Sequence, residues 1–230
     1  LACGGGGGCR WAQLSLLRVH GTGVSTTHDR GGAAGFVYPT DSTKEEEEEE
    51  EELKEEEELR EEELNGMTGK LTYLVGDATE PVCYPAVIAH VCNDIGRWGS
   101  GFVLALSRKW YKPEDSYRQW HRDFQAGREG FIPFALGQTA LVWIEEGVWV
   151  ANMIGQHGVR SWRNPRPVDY AAIDSCLGRV AELADVIKAS VHMPRIGCDR
   201  GGGTWTEIEP IIVKQLCAAG IDVYVYDLPK

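Results

Sequence analysis

Two glycine-rich stretches carry most of the residues that could do chemistry in this chain. In "NDIGRWGSGF" (93–102) three glycines surround Trp98 and Ser100, and in "PRIGCDRGGGTW" (194–205) Gly197, Gly201, Gly202 and Gly203 surround Cys198, Asp199 and Arg200. Each follows an apolar strand-like run and leads into a helical pattern. Glycine leaves backbone N–H groups unobstructed, and a helix N-terminus favours negative charge, so both stretches are suited to holding anions. Two such loops facing each other would suit a diphosphate better than a monophosphate. Familiar phosphate motifs do not fit. A P-loop read from Gly197 has Gly203 where its Lys should stand, and a GxGxxG read from the same residue has Asp199 at the second glycine. A cysteine phosphatase loop needs Arg six residues after Cys198, where Thr204 stands, and no base lies close in sequence to activate the thiol. His90, near the end of the run "VIAHVC", could act as base, acid or nucleophile, since imidazole titrates near pH 6.5; a buried structural role is the alternative. His157, in "GQHGVRSW", reads as a loop residue beside a substrate mouth. Asp77 is a turn-former after a strand unless a ligand context says otherwise. Arg195 and Arg200 could neutralise phosphates, or Arg195 could simply tie down a strand end. Trp205 and the other tryptophans read as packing residues.

These loops need a scaffold, and composition limits what it can be. Of the formal net charge of −12, residues 1–66 contribute −11, from 17 acidic and 6 basic side chains, and residues 67–230 contribute −1. A nearly neutral folded part argues against a nucleic-acid groove, which needs a surplus of Lys and Arg. The seven cysteines, at 3, 9, 83, 92, 176, 198 and 217, form no CxxC pair, so no zinc knuckle or redox motif is suggested and no metal or cofactor is expected. Their scatter fits a reducing, intracellular compartment, cytoplasmic or nuclear. No apolar run reaches membrane-spanning length, and no secretory leader pattern is seen at the start.

Residues 1–66 do not read as a domain. "LACGGGGGCR" is low in complexity, and Glu45 to Glu52 is an unbroken run of eight glutamates followed by "LKEEEELREEEL". Like charges keep such a stretch solvated, either disordered or as a single exposed, coiled-coil-like helix, with a contact to a basic partner or a spacer as the functional readings. From Met67 the texture changes. Runs at 71–75, 87–92, 138–144, 148–154, 190–196 and 222–226 are short, rich in Val, Ile and aromatics, and bounded by Gly, Pro or Asp. The pair 138–144 and 148–154, separated by "EEG", predicts a hairpin. Helical spacing runs over 168–189, with Tyr170, Ile173, Leu177, Val180, Leu183 and Ile187 on one face, and over 204–219, where Thr204 and Glu207 form a predicted capping box. "GFVLALSRKW" and "EDSYRQWHRDF" predict two more helices. Strands alternating with helices indicate an α/β fold in three layers, with one mixed, mainly parallel six-stranded sheet between helices, following the low-complexity segment. The expected domain is 67–230, a length able to bury one core.

"VGDAT" after the first strand, "AHVCNDIGRWGSGFVLAL" from the second, "MPRIGC" with "GGGTW", and the terminal "DVYVYDL" occur in the order seen in macrodomains, the ADP-ribose-binding modules. The chain resembles that family over about residues 70–228, and within it the subgroup of terminal ADP-ribose protein glycohydrolase and yeast-type ADP-ribose 1″-phosphate phosphatase. The resemblance implies that Asp77 accepts from the adenine amino group, with Gly76 and Ala78 beside it and Tyr226 and Leu228 flanking the base. It implies that Trp98, Gly99, Ser100, Gly101 and Phe102 form one loop over the diphosphate and distal ribose. Ile196, Gly197, Cys198, Asp199, Arg200, Gly201 and Gly202 form the other, and His90 and Asn93 lie near the distal ribose.

The chain departs from the glycohydrolase branch. Its lysine aligns with Gln156 and its aspartate with Gly201, so amine chemistry is not expected; Asp199 could substitute for the acid. The phosphatase branch matches at His90. The sequence therefore supports a hydrolase of ADP-ribose 1″-phosphate or a related ADP-ribosyl ester, with His90 and Asp199 as catalytic candidates. The alternative is a non-catalytic reader of ADP-ribose or ADP-ribosylated proteins. A generic nucleotide-binding α/β protein is a third reading. A monomer is expected.

Overall fold

The computed structural model of the protein describes residues 50–51, 53–57, 68–128 and 132–229. Residues 50–51 and 53–57 of the glutamate-rich stretch are helical and exposed. The other expectations for 1–66 lie outside the described residues. No helix among the described residues is long and apolar enough to cross a membrane.

The strands are β1 (Leu71–Val75), β2 (Ala86–Asn93), β3 (Thr139–Glu145), β4 (Val148–Gln156), β5 (Ser190–Pro194) and β6 (Val223–Asp227). The helices are α1 (Val103–Lys109), α2 (Lys112–Gln125), α3 (Tyr170–Ile187) and α4 (Trp205–Gln215), the last followed by a short 3-10 turn at Cys217–Ala219. The sheet order is β1-β6-β5-β2-β4-β3, parallel throughout except for the β3–β4 hairpin. The predicted mixed, mainly parallel sheet is thus the one found. Its central strands read as continuous Val/Ile/Ala runs because both faces are covered. On one face Val87, Ala89, Ala151, Met153, Val191 and Val225 pack against Ile173, Leu177 and Val180 of α3 and Ile208 and Ile212 of α4. On the other, Ile88, Val150 and Ile154 pack against Leu106 of α1, Tyr117 of α2, and Phe134. Truncating a side chain such as Ile173 in this core would cost about 2–5 kcal/mol.

One local expectation fails. Thr204 stands at the N-cap of α4, but its hydroxyl does not cap the helix. It meets the Thr206 hydroxyl at 3.3 Å instead, while the Thr204 amide donates to the Tyr170 hydroxyl at 3.1 Å. The capping-box spacing is present, but the local hydroxyl pair and the tertiary bond have displaced the reciprocal one. By contrast Asp169 caps α3 as an acceptor from the Ala172 amide at 2.9 Å.

Candidate functional site

Five strands end on one side of the sheet, and the segments that leave them enclose a cleft of about 880 Å³. This is where open α/β sheets hold ligands, because diverging connections leave a crevice beyond the strand ends. At one end the pairing of β1 with β6 sets Leu74 opposite Tyr226 and Val75 opposite Asp227, so chain segments 152 residues apart share one wall. Gly76, Asp77, Ala78, Tyr226 and Leu228 line it. Asp77 is exposed, and its Oδ1 accepts from the Thr79 amide at 2.9 Å, closing the turn. Oδ2 has no partner among the hydrogen bonds of the described residues. The Tyr226 ring is buried, its hydroxyl 2.9 Å from His192 Nδ1, whereas Leu228 is exposed at the rim.

The two glycine loops form the opposite walls and meet: a Cβ at Gly101 would lie 3.3 Å from Arg200 Cγ. Trp98, Gly99, Ser100, Gly101 and Phe102 line one wall, and Ile196, Gly197, Cys198, Asp199, Arg200 and Gly201 the other. Gly202, expected beside them, instead packs outward, where a Cβ would lie 2.5 Å from the Pro165 carbonyl oxygen. Ile196 is buried in the core, so what it can offer a ligand is backbone. Burial raises the Cys198 thiol above its ordinary pKa, which weighs against a thiolate there. Trp98 is a core residue as well as a wall, donating from Nε1 to Ser107 Oγ at 2.8 Å.

The two residues expected near the distal ribose, His90 and Asn93, line the cleft and are also bonded within the protein. Asn93 Oδ1 accepts from the amides of Ile95 (3.1 Å) and Arg97 (3.0 Å) and from the Tyr117 hydroxyl (3.0 Å), while its Nδ2 donates to the Arg97 carbonyl at 2.5 Å. Asn93 therefore shapes the first loop, with one of its two amide N–H donors used on the Arg97 carbonyl. His90 is 1% exposed, and its Nε2 sits 2.6 Å from Asn152 Oδ1, its partner across the β2–β4 ladder. Burial lowers its pKa to about 4, so the ring is neutral at pH 7. Placed so, His90 lines the cleft with one ring nitrogen engaged by Asn152. Asp199 is exposed, 3.6 Å from Arg200 Nε. The Gln156 amide donates to the Gly158 carbonyl at 2.8 Å, so no amine stands at that position.

Arginine is the feature the sequence hid. Arg97, Arg108, Arg118, Arg160, Arg195 and Arg200 all line the cleft, against Asp77 and Asp199 as its acidic members. Arg195 is committed, with Nε and Nη2 at 2.6 and 2.7 Å from the two Asp227 oxygens, so it ties strand ends as the blander reading held. That bond also holds the Asp227 carboxyl below its usual range. The other arginines come from separate segments. Asp94 was likewise missed: it accepts from the Gly158 amide at 2.7 Å and from His157 Nδ1 at 2.5 Å, fastening the 157–168 segment to the end of β2. Among the described residues no group of three or more His, Cys, Asp or Glu is placed to hold a metal ion.

Solved structures share this frame. A macrodomain protein from Streptomyces coelicolor is 52% identical over 69% of this chain and 99% of that chain, with a TM-score of 0.60. The chain belongs to the macrodomain family. A Bacteroides thetaiotaomicron protein of unknown function is 47% identical over 69% of this chain and 98% of that chain, with a TM-score of 0.63. Mouse chromodomain-helicase-DNA-binding protein 1-like is 31% identical over 170 residues, 70% of this chain and 18% of the relative. The chain spans less than a fifth of the length of the curated relatives it matches. No protein-family model matches the sequence.

Proposed function

We propose that this macrodomain binds ADP-ribose, free or as the terminal unit on a modified protein. The carrying observation is the arginine-lined cleft between two glycine loops that meet at Gly101 and Arg200, closed at one end by Asp77 and Tyr226. Backbone N–H groups and guanidinium groups suit a diphosphate. The Asp77 carboxylate suits an exocyclic amine, and Tyr226 with Leu228 supplies an apolar wall for a purine. Loss of a charged hydrogen-bond partner costs about 1.5–3 kcal/mol, so Asp77→Ala should weaken binding about tenfold or more. Calorimetry with ADP-ribose tests this. No heat of binding to the intact chain would sink the proposal, and equal affinity in Asp77→Ala would remove Asp77 from it.

The His90–Asn152 bond and an amide in place of an amine at Gln156 support a reader over a hydrolase. Hydrolysis keeps one supporting observation, the exposed Asp199 carboxylate on the cleft wall, which could orient a water. Inorganic phosphate release from ADP-ribose 1″-phosphate, and cleavage of an ADP-ribosyl ester, should be followed for the wild type and Asp199→Asn. Turnover abolished in Asp199→Asn would establish the hydrolase; binding without turnover leaves the reader.

A further inference from the structure

We propose that Cys83, outside the cleft, is a thiol-modification site that forms a mixed disulfide with a low-molecular-mass disulfide carrying both ammonium and carboxylate groups. Its effect on the cleft rests on the reading of that cleft as an ADP-ribose site; the modification itself does not.

Segment 76–85 leaves β1 at the cleft wall and runs over β5 and β6 to the start of β2. It ends beside a second cavity, of about 320 Å³, at the other end of β5: Pro194 lines the cleft, whereas Ser190 lines this cavity. The half-buried Cys83 lines it too. Its Sγ lies 3.2 Å from Ser190 Oγ and 3.8 Å from His192 Nε2. The Tyr224 hydroxyl also bonds to this sulfur, the largest reason its phenol is pushed up to about 12. Burial dictates the hydrogen-bond directions. The Val82 amide donates to the Tyr226 oxygen at 3.3 Å, so the phenol hydrogen goes to His192 Nδ1 at 2.9 Å. Burial lowers His192 to about 4, so the ring is neutral at pH 7 and its hydrogen sits on Nε2, which donates to Ser190 Oγ at 2.9 Å. The Ser190 hydroxyl then donates to the Pro85 carbonyl, at 3.3 Å, or to Cys83 Sγ. Two hydroxyls and an imidazole N–H thus converge on one sulfur. Cys92, Cys176 and Cys217, by contrast, are buried, with thiols raised by burial.

Such donors serve a sulfur that attacks or departs as an anion. In the exchange the thiol proton passes to solvent, and Cys83 Sγ attacks one sulfur of the small disulfide. A new S–S bond forms as the old one breaks, and the departing thiolate takes up a proton. Cys83 is oxidised and one half of the reagent is reduced to a thiol, so electrons balance. Lys188 in the cavity wall suits a carboxylate, and Asp185 and Asp222 suit an ammonium. The exposed Lys188–Asp185 bridge, at 2.7 Å, opens at little cost.

With Ser190 Oγ so near, the sulfur has no room for a substituent on that side, and an adduct turns the side chain into the cavity. That breaks the bonds to Ser190, His192 and Tyr224 and draws the adjoining Val82 from the Tyr226 hydroxyl. Tyr226 walls the cleft, so modification should weaken ADP-ribose binding about fivefold, the size of one neutral hydrogen bond.

The test treats the full chain, with Cys3 and Cys9 replaced by Ser, with glutathione disulfide, followed by peptide mass mapping and ADP-ribose calorimetry. Cys83 should be modified first. Ser190→Ala and Tyr224→Phe should each slow its modification several-fold while Cys198 reacts at an unchanged rate, whereas general loosening would speed the other thiols. Relative to free cysteine, glutathione disulfide should outpace cystamine, which lacks carboxylates. ADP-ribose affinity should fall by the stated factor, recover on reduction, and stay constant in Cys83→Ser under the same treatment. Modification of Cys198 ahead of Cys83, or undiminished rates in both variants, overturns the proposal. Faster reaction with cystamine overturns the ligand class, and unchanged affinity of the Cys83 adduct overturns the link to the cleft. No ADP-ribose binding before treatment overturns the reading of the cleft instead, an outcome that mass mapping keeps separate.

Discussion

At the scale of single residues, His90 shows how neighbours choose among a side chain's abilities. An imidazole near a strand end could be a catalyst; the ladder places Asn152 directly opposite, and the ring, at the cleft wall, is almost fully buried. His192 is treated similarly: it is fully buried, stacked on Tyr224 with centroids 4.8 Å apart, and bonded through Nδ1 to the Tyr226 hydroxyl. Burial lowers both histidines to about 4. Their folded pKa lies below the unfolded value near 6.5, so the unfolded chain binds more protons between those limits. Stability should therefore be level above about pH 6.5 and fall as pH drops toward 4, by on the order of 1 kcal/mol per pH unit for each ring. Urea unfolding midpoints at several pH values between 7.5 and 5 would show this slope, and His90→Gln should flatten it. An unchanged slope in that variant would mean that His90 titrates normally.

At the scale of elements, the glycine loops separate into positions the fold requires and positions it does not. Gly202 has φ +68°, and a Cβ there would lie 2.5 Å from the Pro165 carbonyl oxygen, so the second loop docks on the 157–168 segment only through glycine. At Gly99 a Cβ would meet nothing within 4 Å, although the residue lines the cleft. Gly202→Ala should cost about 1–3 kcal/mol, whereas Gly99→Ala should leave stability within about 0.5 kcal/mol. In return Gly99→Ala should weaken ADP-ribose binding several-fold, because the added methyl occupies ligand space. Thermal unfolding and calorimetry on the pair check this; comparable instability in both variants would make Gly99 a structural glycine.

At the scale of the whole molecule, charge is distributed against its formal total. The sequence carries −12, yet the cleft gathers six arginines against two aspartates. Residues 1–66 supply −11 of that total. Every residue that lines the cleft lies between Gly76 and Leu228. Deleting residues 1–66 should leave ADP-ribose affinity at 0.15 M salt within about twofold of the full chain. A tenfold loss by calorimetry would place part of the site in the leader.

Periodicity and turn residues were enough for the six strands, the hairpin and the four helices, because burial on two faces of a sheet leaves continuous β-branched runs that local sequence displays. The order of "VGDAT", the two glycine loops and "DVYVYDL" identified the family and the walls of the cleft. Other features exist only after folding. The cleft arginines come from separate segments, so no single window of sequence marks them as a set. The fates of His90 and Asn93 depended on Asn152, Tyr117 and Arg97, partners supplied by strand pairing and loop closure. Trp162 is exposed because the 157–168 segment closes on itself and on two other loops. Local pattern determined which elements form. Tertiary contact determined which polar groups the protein itself consumes and which remain for a ligand, since hydrogen-bond partners and exposure are properties of neighbours in space.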